Sequence, residues 1–112
     1  GSWLGIFFGK RGNGLSESLL QHCIIQYGGD GKGQISILSS TPLIDNCEIL
    51  NGRGSGIYVT NAFNLRISNN VIKNNIRSDS NLEFIGGGEI YADGSDVTLT
   101  NNLIIENKVQ NP

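Results

Sequence analysis

Three aromatic residues at matching positions are the clearest candidates for a binding function in this sequence. Phe7, Tyr58 and Tyr91 are each the third residue of a similar four-residue run, namely GIFF, GIYV and EIYA. Side chains of a β-strand alternate between two faces, so the isoleucine before each ring would face a core and the ring would face outward. An outward aromatic row is uncommon on an uncovered sheet, and aromatic rings stack well on the faces of sugars. We predict that this row binds carbohydrate.

The alternative for this row is burial beneath neighbouring turns. Phe63 and Phe84 lie in predicted turn segments and could fold over it. A fourth run of the same kind, QISI, places Ser36 at the aromatic position, so the predicted row is interrupted by one small residue.

Acidic residues and the single histidine give weaker chemical signals. Asp93 and Asp96 lie in the segment DGSD and are weak candidates for Ca²⁺ ligands, because Ca²⁺ takes oxygen donors. The alternative for this segment is a polar turn. His22 is the only histidine, which leaves little for a His-based metal site or triad. We predict no catalytic residue and no other cofactor.

The two cysteines occupy equivalent positions in neighbouring repeats. Cys23 and Cys47 each precede an isoleucine by two residues. Stacked residues lie within the Cα separation of about 4.4–6.8 Å that a disulfide spans, but parallel side chains point alike and not at each other. We favour two buried free thiols, with a disulfide as the alternative.

A repeated pattern defines the elements that position these residues. Four segments share one pattern: an apolar residue, two polar residues, Asn or Cys, any residue, and then isoleucine. They are LLQHCIIQYGG, LIDNCEILNG, RISNNVIKNN and LTNNLIIEN. Their second apolar position recurs at intervals of 24, 23 and 32 residues, at Ile25, Ile49, Ile72 and Ile104. Their first apolar position is Leu20, Ile44, Ile67 and Leu99. Such a period indicates a solenoid, a propeller or another repeat array.

Three short β-like runs per repeat, with no stretch of helical period, predict the architecture. We expect an all-β, right-handed parallel β-helix of about four coils with three short strands per coil, since parallel crossovers are almost always right-handed. In the third coil the strands are predicted at 56–59, 65–67 and 71–73, followed by a long return over 76–88. The isoleucines of the first strands form one further predicted ladder, at Ile6, Ile35, Ile57 and Ile90.

Asparagine pairs are predicted to form the corners of the coils. Asn tolerates the left-handed backbone of a sharp bend, and its amide can bond to the same amide one coil away. The corner pairs are His22/Cys23, Asn46/Cys47, Asn69/Asn70 and Asn101/Asn102. We expect asparagine ladders with an architectural role, and we interpret Asn74-Asn75 as the beginning of the return.

The runs GIYV with LRISNNVIKNN, and LIDNCEILNGRGSGIYV, resemble the parallel β-helix repeats of the pectin-lyase-like superfamily. The resemblance covers nearly the whole chain and is specific for fold but not for activity. It implies an alternative function, as a fragment of a polysaccharide lyase or glycoside hydrolase. The hydrolases of the superfamily carry an Asp-Asp pair and a Gly-His-Gly loop, neither of which is present here. The lyases use an arginine base beside Ca²⁺, and Arg53, Arg66 and Arg77 lie in no such motif.

Composition narrows the remaining function classes. The 112 residues suffice for one domain. We predict that this domain covers residues 1–112 and that it is a fragment of a longer protein. A net charge of -2 gives no reason to expect a nucleic-acid partner, and no run approaches the ~20 apolar residues of a membrane span. We therefore predict a non-catalytic extracellular or cell-surface module, with the periplasm as an alternative location, that binds polysaccharide. Its bare coil ends also predict end-to-end self-association.

Overall fold

Fourteen short strands and no helix make up the described part of the chain. The computed structural model describes residues 3–9, 18–29, 33–78 and 90–110. The strands are β1 (Ile6–Phe8), β2 (Leu19–Gln21), β3 (Ile24–Gln26), β4 (Gly33–Leu38), β5 (Leu43–Asp45), β6 (Glu48–Leu50), β7 (Ser55–Thr60), β8 (Leu65–Ser68), β9 (Val71–Lys73), β10 (Ile76–Ser78), β11 (Ile90–Asp93), β12 (Val97–Thr100), β13 (Leu103–Ile105) and β14 (Lys108–Gln110).

Twelve of these strands form three parallel sheets of four strands each. Sheet 1 has the order β1-β4-β7-β11, sheet 2 the order β2-β5-β8-β12, and sheet 3 the order β3-β6-β9-β13. Among these twelve strands, each step along the chain moves from one sheet to the next, and after three strands the chain returns to sheet 1 in the next coil. This is a parallel β-helix of four coils with three strands per coil, which confirms the predicted all-β architecture.

The strand register confirms the two predicted isoleucine ladders and adds a third apolar ladder in sheet 2. Sheet 1 aligns Ile6 with Ile35, Ile35 with Ile57, and Ile57 with Ile90. Sheet 2 aligns the Leu20 column in the same way, and sheet 3 aligns the Ile25 column. The isoleucines of the two middle coils are fully buried in all three columns. Each contributes roughly 1.5–3 kcal/mol by leaving water, and together they fix the sheets face to face.

In each coil, the first corner joins sheet 2 to sheet 3 and has the left-handed backbone conformation that the sequence predicts. His22, Asn46, Asn69 and Asn101 all have φ between 54° and 57°. The left-handed region is costly for most L-residues but accessible to Asn. One residue in this conformation turns the chain, and the next residue then points into the core.

The segment Asn74-Asn75 forms a second corner, which corrects its interpretation as the start of the return. Tyr27, Asn51, Asn74 and Glu106 have φ of 54–64°. The residues that follow them are Gly28 and Gly52 in the first two coils, and Asn75 and Asn107, whose side chains point inward, in the last two. Beyond this corner, β10 pairs in parallel with β14 as a small fourth sheet. The predicted return over 76–88 therefore begins with a strand, and residues 79–88 lie outside the described part of the chain.

The inward residues of both corners form hydrogen-bonded amide ladders. Asn70 Oδ1 accepts from the backbone N–H of Cys47 at 2.8 Å, and Asn70 Nδ2 donates to Asn102 Oδ1 at 3.1 Å. At the second corner Asn75 Nδ2 donates to Asn107 Oδ1 at 2.9 Å. Because the strands leave these corner N–H groups without a ladder partner, the buried amides satisfy donors that would otherwise be orphaned. The predicted asparagine ladders are confirmed.

Gln34 completes the second ladder where two successive coils have glycine at this corner, Gly28 and Gly52. Its Nε2 donates to Leu50 O and to Asn75 Oδ1, both at 2.7 Å, and its Oε1 accepts from Gly28 N. A Cβ at Gly52 would lie 2.5 Å from Gln34 Nε2. Glycine at position 52 thus leaves the space that the Gln34 side chain fills.

Candidate functional site

The predicted aromatic row exists in the register of sheet 1. Phe7 aligns with Ser36, Ser36 with Tyr58, and Tyr58 with Tyr91. All four belong to the outward set of their strands, since the isoleucine that precedes each of them faces the core. Ser36 leaves a one-coil gap between the first ring and the stacked pair.

The rings of this row differ strongly in exposure. Phe7 is 64% exposed, whereas Tyr58 is only 6% exposed and Tyr91 is half-buried. The Tyr58 and Tyr91 rings stack in parallel, with centroids 4.7 Å apart and planes 8° apart. A Cβ at Gly33 would lie 2.9 Å from Tyr58 Cβ, so the preceding strand also approaches this residue closely. Tyr58 therefore supports Tyr91 from beneath, and only Phe7 and Tyr91 reach the surface.

The structure tests one part of the alternative in which turns that contain Phe63 and Phe84 bury the aromatic row. Phe63 is 61% exposed, so it does not bury the row. Phe84 lies outside the described residues. Carbohydrate binding by Phe7, Tyr58 and Tyr91 stays a prediction; Phe7 and Tyr91 are the rings of this row that reach the surface, and Tyr58 is buried.

A groove of about 540 Å³ lies over the outer face of sheet 2, and the sequence reasoning missed it. Leu19 and Leu43 align as neighbours in adjacent strands, and both are exposed. Arg66 follows them along the same outward row, and Thr41 and Asn64 stand at the edge. In the described part of the chain no carboxylate pairs with Arg66. The repeat alignment contained the signal, since it places all three groove-floor residues at one outward position.

Among the residues that the structure describes, Asp45 is the carboxylate that accepts the most side-chain hydrogen bonds. Its Oδ2 accepts from Gln21 Nε2 at 2.9 Å and from Asn46 Nδ2 at 2.7 Å. Its Oδ1 accepts from Ser68 Oγ at 2.9 Å and from Asn69 Nδ2 at 3.0 Å. The hydrogen bond from Asn69, followed by those from Gln21 and Ser68, lowers the pKa of Asp45 to about 2. Hydrogen bonds to the charged form favour that form.

The two cysteines are free thiols in the same corner column. Cys47 is buried and Cys23 is half-buried. Each Sγ donates to nearby backbone carbonyls, Cys23 to Gln21 O and Cys47 to Leu20 O and Asp45 O. Burial raises the pKa of the Cys47 thiol, which keeps it protonated and unreactive at neutral pH.

The weak Ca²⁺ candidates lie at the corner between sheets 1 and 2. Asp93 and Asp96 are both exposed, and Gly94 between them has φ of 55°. The Ser95 hydroxyl donates to Asp93 O and accepts from the backbone N–H of Ala62. Among the residues that the structure describes, no three His, Cys, Asp or Glu side chains come together to hold a metal ion. Ca²⁺ binding at Asp93 and Asp96 stays a prediction.

Comparison with known families settles the class of the chain. The family model described as "Right handed beta helix region" matches residues 5–111. The chain belongs to this right-handed β-helix family. The match confirms the predicted handedness and spans all four coils. Neither a curated protein nor a solved structure gives a significant match.

Membership of the right-handed β-helix family establishes the fold of this chain. Candidate binding surfaces must therefore be sought on the outer faces of the coils. Within the described ranges, no helix of this β-helix is long and apolar enough to cross a membrane. The candidate surfaces are the aromatic row on sheet 1 and the Arg66 groove, whose floor is formed by strands of sheet 2 and whose edge is formed by the neighbouring turns.

Proposed function

We propose that this β-helix is a non-catalytic module of an extracellular or cell-surface protein, and that it binds polysaccharide through Phe7 and Tyr91 on sheet 1. The observation that carries the proposal is the alignment of both rings in one outward row. The parallel stack on Tyr58 holds Tyr91 in a fixed orientation, and preorganised aromatic groups bind at a lower cost in entropy.

The spacing of the two rings favours a polymer over a single sugar. Phe7 and Tyr91 belong to the first and fourth strands of sheet 1, which are three coil steps apart. At about 4.8 Å per step, the rings are separated by roughly 14 Å along the sheet. A ligand that contacts both rings must therefore extend over several sugar units, which supports a polysaccharide as the ligand.

Asp45, the carboxylate with the most side-chain hydrogen bonds in the described ranges, does not favour a role in glycoside hydrolysis. A general acid at neutral pH needs a raised pKa, whereas the pKa of Asp45 is lowered to about 2. A carboxylate with so low a pKa is also a weak base. The same hydrogen bonds that hold Asp45 in place therefore make it unsuited to acid–base chemistry, and its role is structural.

Glycan-array binding of the wild-type chain and of single variants tests the proposal. Phe7→Ala and Tyr91→Ala should each weaken binding about tenfold or more, corresponding to about 1.4 kcal/mol per ring. Phe63→Ala is the matched control, since Phe63 is 61% exposed against 64% for Phe7 but lies at a corner. Its binding should stay within about twofold of wild type. Absence of binding to any glycan, or equal losses for the control and the two variants, would overturn the proposal.

A further inference from the structure

The groove on the outer face of sheet 2 contains an arginine that pairs with no carboxylate among the described residues. Leu19, Leu43 and Arg66 stand in one outward row, which the strand register continues to Thr98. Arg66 is exposed, and within the described ranges its guanidinium makes no ion pair or hydrogen bond. Leu43 and Arg66 belong to the second and third coils, each of which packs between two others, so this surface does not depend on the ends of the coil stack.

Asp45 is the only carboxylate in the four strands of sheet 2, and its oxygens are already occupied. It lies in the other outward row of this sheet, between Gln21 and Ser68 of the adjacent coils. The two oxygens accept four side-chain hydrogen bonds, and none of these comes from Arg66. Asp45 therefore does not neutralise Arg66, and the groove offers a positive charge to a ligand.

The rest of the groove combines an apolar floor with a polar edge. The side chains of Leu19 and Leu43 form the floor beside Arg66, and Leu43 is 42% exposed. Thr41 and Asn64 line the edge, and in the described part of the chain their side chains make no hydrogen bond. A ligand of this groove must therefore combine an anionic group, an aliphatic group about one coil step (about 4.8 Å) away, and polar groups that bond to the edge.

We propose that this groove binds the C-terminal end of a polypeptide whose last residue is aliphatic. The terminal carboxylate would accept two parallel N–H bonds from the Arg66 guanidinium, and such charge-assisted pairs are among the strong hydrogen bonds of proteins. The aliphatic side chain would cover Leu43. The backbone amides would bond to Thr41 and Asn64, because a peptide backbone supplies both donors and acceptors. Capture of a terminal carboxylate is an established mode of peptide recognition.

The size and the edge of the groove favour a peptide end over a plain aliphatic acid. The volume of about 540 Å³ lies within the range of roughly 300–1,000 Å³ that is typical of small-ligand sites. The two coil steps from Arg66 to Leu19 span roughly 10 Å, which is the length of about three extended residues. An aliphatic acid would cover Leu43 but would place an apolar chain against Thr41 and Asn64, and polar groups that lose water without a new partner cost free energy.

An NMR titration of the ¹⁵N-labelled chain with two synthetic peptides tests the proposal. The probe is an N-acetylated peptide that ends in Gly-Val-Leu with a free carboxylate, and the matched control is the same peptide with a C-terminal amide. We expect saturable shifts at the backbone N–H groups of Leu43 and Arg66 with the probe, and an affinity about tenfold or more weaker for the amide, which lacks the charge. No saturable shift at these groups, or equal affinity for both peptides, would overturn the proposal.

Two arginine variants separate the groove from a general effect of charge. Arg66→Gln should weaken binding of the probe about tenfold or more, because glutamine cannot form the charged pair. Arg53→Gln is the matched control, since Arg53 is also exposed but does not line the groove. Its affinity should stay within about twofold of wild type. Equal losses in the two variants, or wild-type affinity in Arg66→Gln, would contradict the assignment to this groove.

Isocaproate, a free acid with a branched aliphatic chain, distinguishes a peptide end from a small carboxylate. It should bind about tenfold or more weakly than the probe, because it makes none of the backbone hydrogen bonds to Thr41 and Asn64. Equal affinity would show that the groove takes a free acid and would overturn the assignment to a polypeptide. These outcomes are independent of polysaccharide binding, because Phe7 and Tyr91 lie on sheet 1 and are unchanged in Arg66→Gln.

Discussion

Replacement of Asn70 by alanine tests whether the buried corner amides hold the coils together. The Asn70 side chain is buried and makes three hydrogen bonds: it accepts from Cys47 N, and it donates to Ile44 O and Asn102 Oδ1. Alanine removes all three. The Cys47 N–H and the Ile44 carbonyl then lose a partner inside the core, where water cannot replace it.

The expected loss of stability follows from these two orphaned groups. Each buried polar group left unsatisfied costs about 1–3 kcal/mol, so two such groups in Asn70→Ala should lower the free energy of unfolding by about 2–6 kcal/mol. The whole stability of a domain of this size is about 5–15 kcal/mol, so the effect should be a large displacement of the unfolding midpoint. Urea denaturation followed by circular dichroism measures it.

The neighbouring residue Asn69 supplies the control for this experiment. Asn69 has φ of 57° and makes one exposed side-chain bond, to Asp45. Asn69→Gly keeps the left-handed backbone at no steric cost, so its effect should be below about 1 kcal/mol. If Asn70→Ala costs less than about 1 kcal/mol, or if Asn69→Gly costs as much as Asn70→Ala, the corner amides do not have the role assigned to them.

Three further substitutions test other parts of the structure. Gly52→Ala should destabilise the fold by about 1–3 kcal/mol in thermal or urea unfolding, because the new Cβ overlaps Gln34; wild-type stability would contradict the packing described. Tyr58→Ala should cost about 3–5 kcal/mol while Phe7→Ala costs under about 0.5, because only the former empties a buried site; similar losses would be inconsistent with their different exposure. Asp45 has a pKa lowered to about 2, so its stabilising effect is present above about pH 4 and is lost as pH falls towards 2. Asp45→Asn should therefore flatten the dependence of stability on pH between 4 and 2, and an unchanged acid transition would refute this.

Much of the scaffold follows from the sequence because its repeats are local and redundant. Each coil repeats the apolar positions of the last, so Ile49 and Ile72 align in the structure as their spacing predicts. The longer step to Ile104 does not disturb the alignment, since the additional residues precede β11. The left-handed conformation of Asn69 also follows from residue type, because few residues other than Asn and Gly adopt it readily.

The second corner and the burial of Tyr58 were harder to predict, for different reasons. Asn74-Asn75 repeats the pattern of Asn69-Asn70 five residues later, so the signal was present, but the first coil carries Tyr27-Gly28 at this corner and conceals the correspondence. The position of Tyr58 on the outward face followed from strand alternation. Its burial did not, because it depends on the stacking of Tyr91 and the close approach of the preceding strand, and these are tertiary contacts that periodicity does not specify.

The most direct test of polysaccharide binding is an NMR titration of the chain with the best-binding glycan from the array, followed at the aromatic ring resonances. We predict that the rings of Phe7 and Tyr91 shift together and saturate at one ligand concentration, while those of Phe63 and Tyr27 do not move. Phe63 and Tyr27 are suitable references because both are exposed but lie at corners of the coil. Larger shifts at Phe63 or Tyr27 than at Phe7 and Tyr91, or no shift of any ring at saturating glycan, would contradict the proposed site.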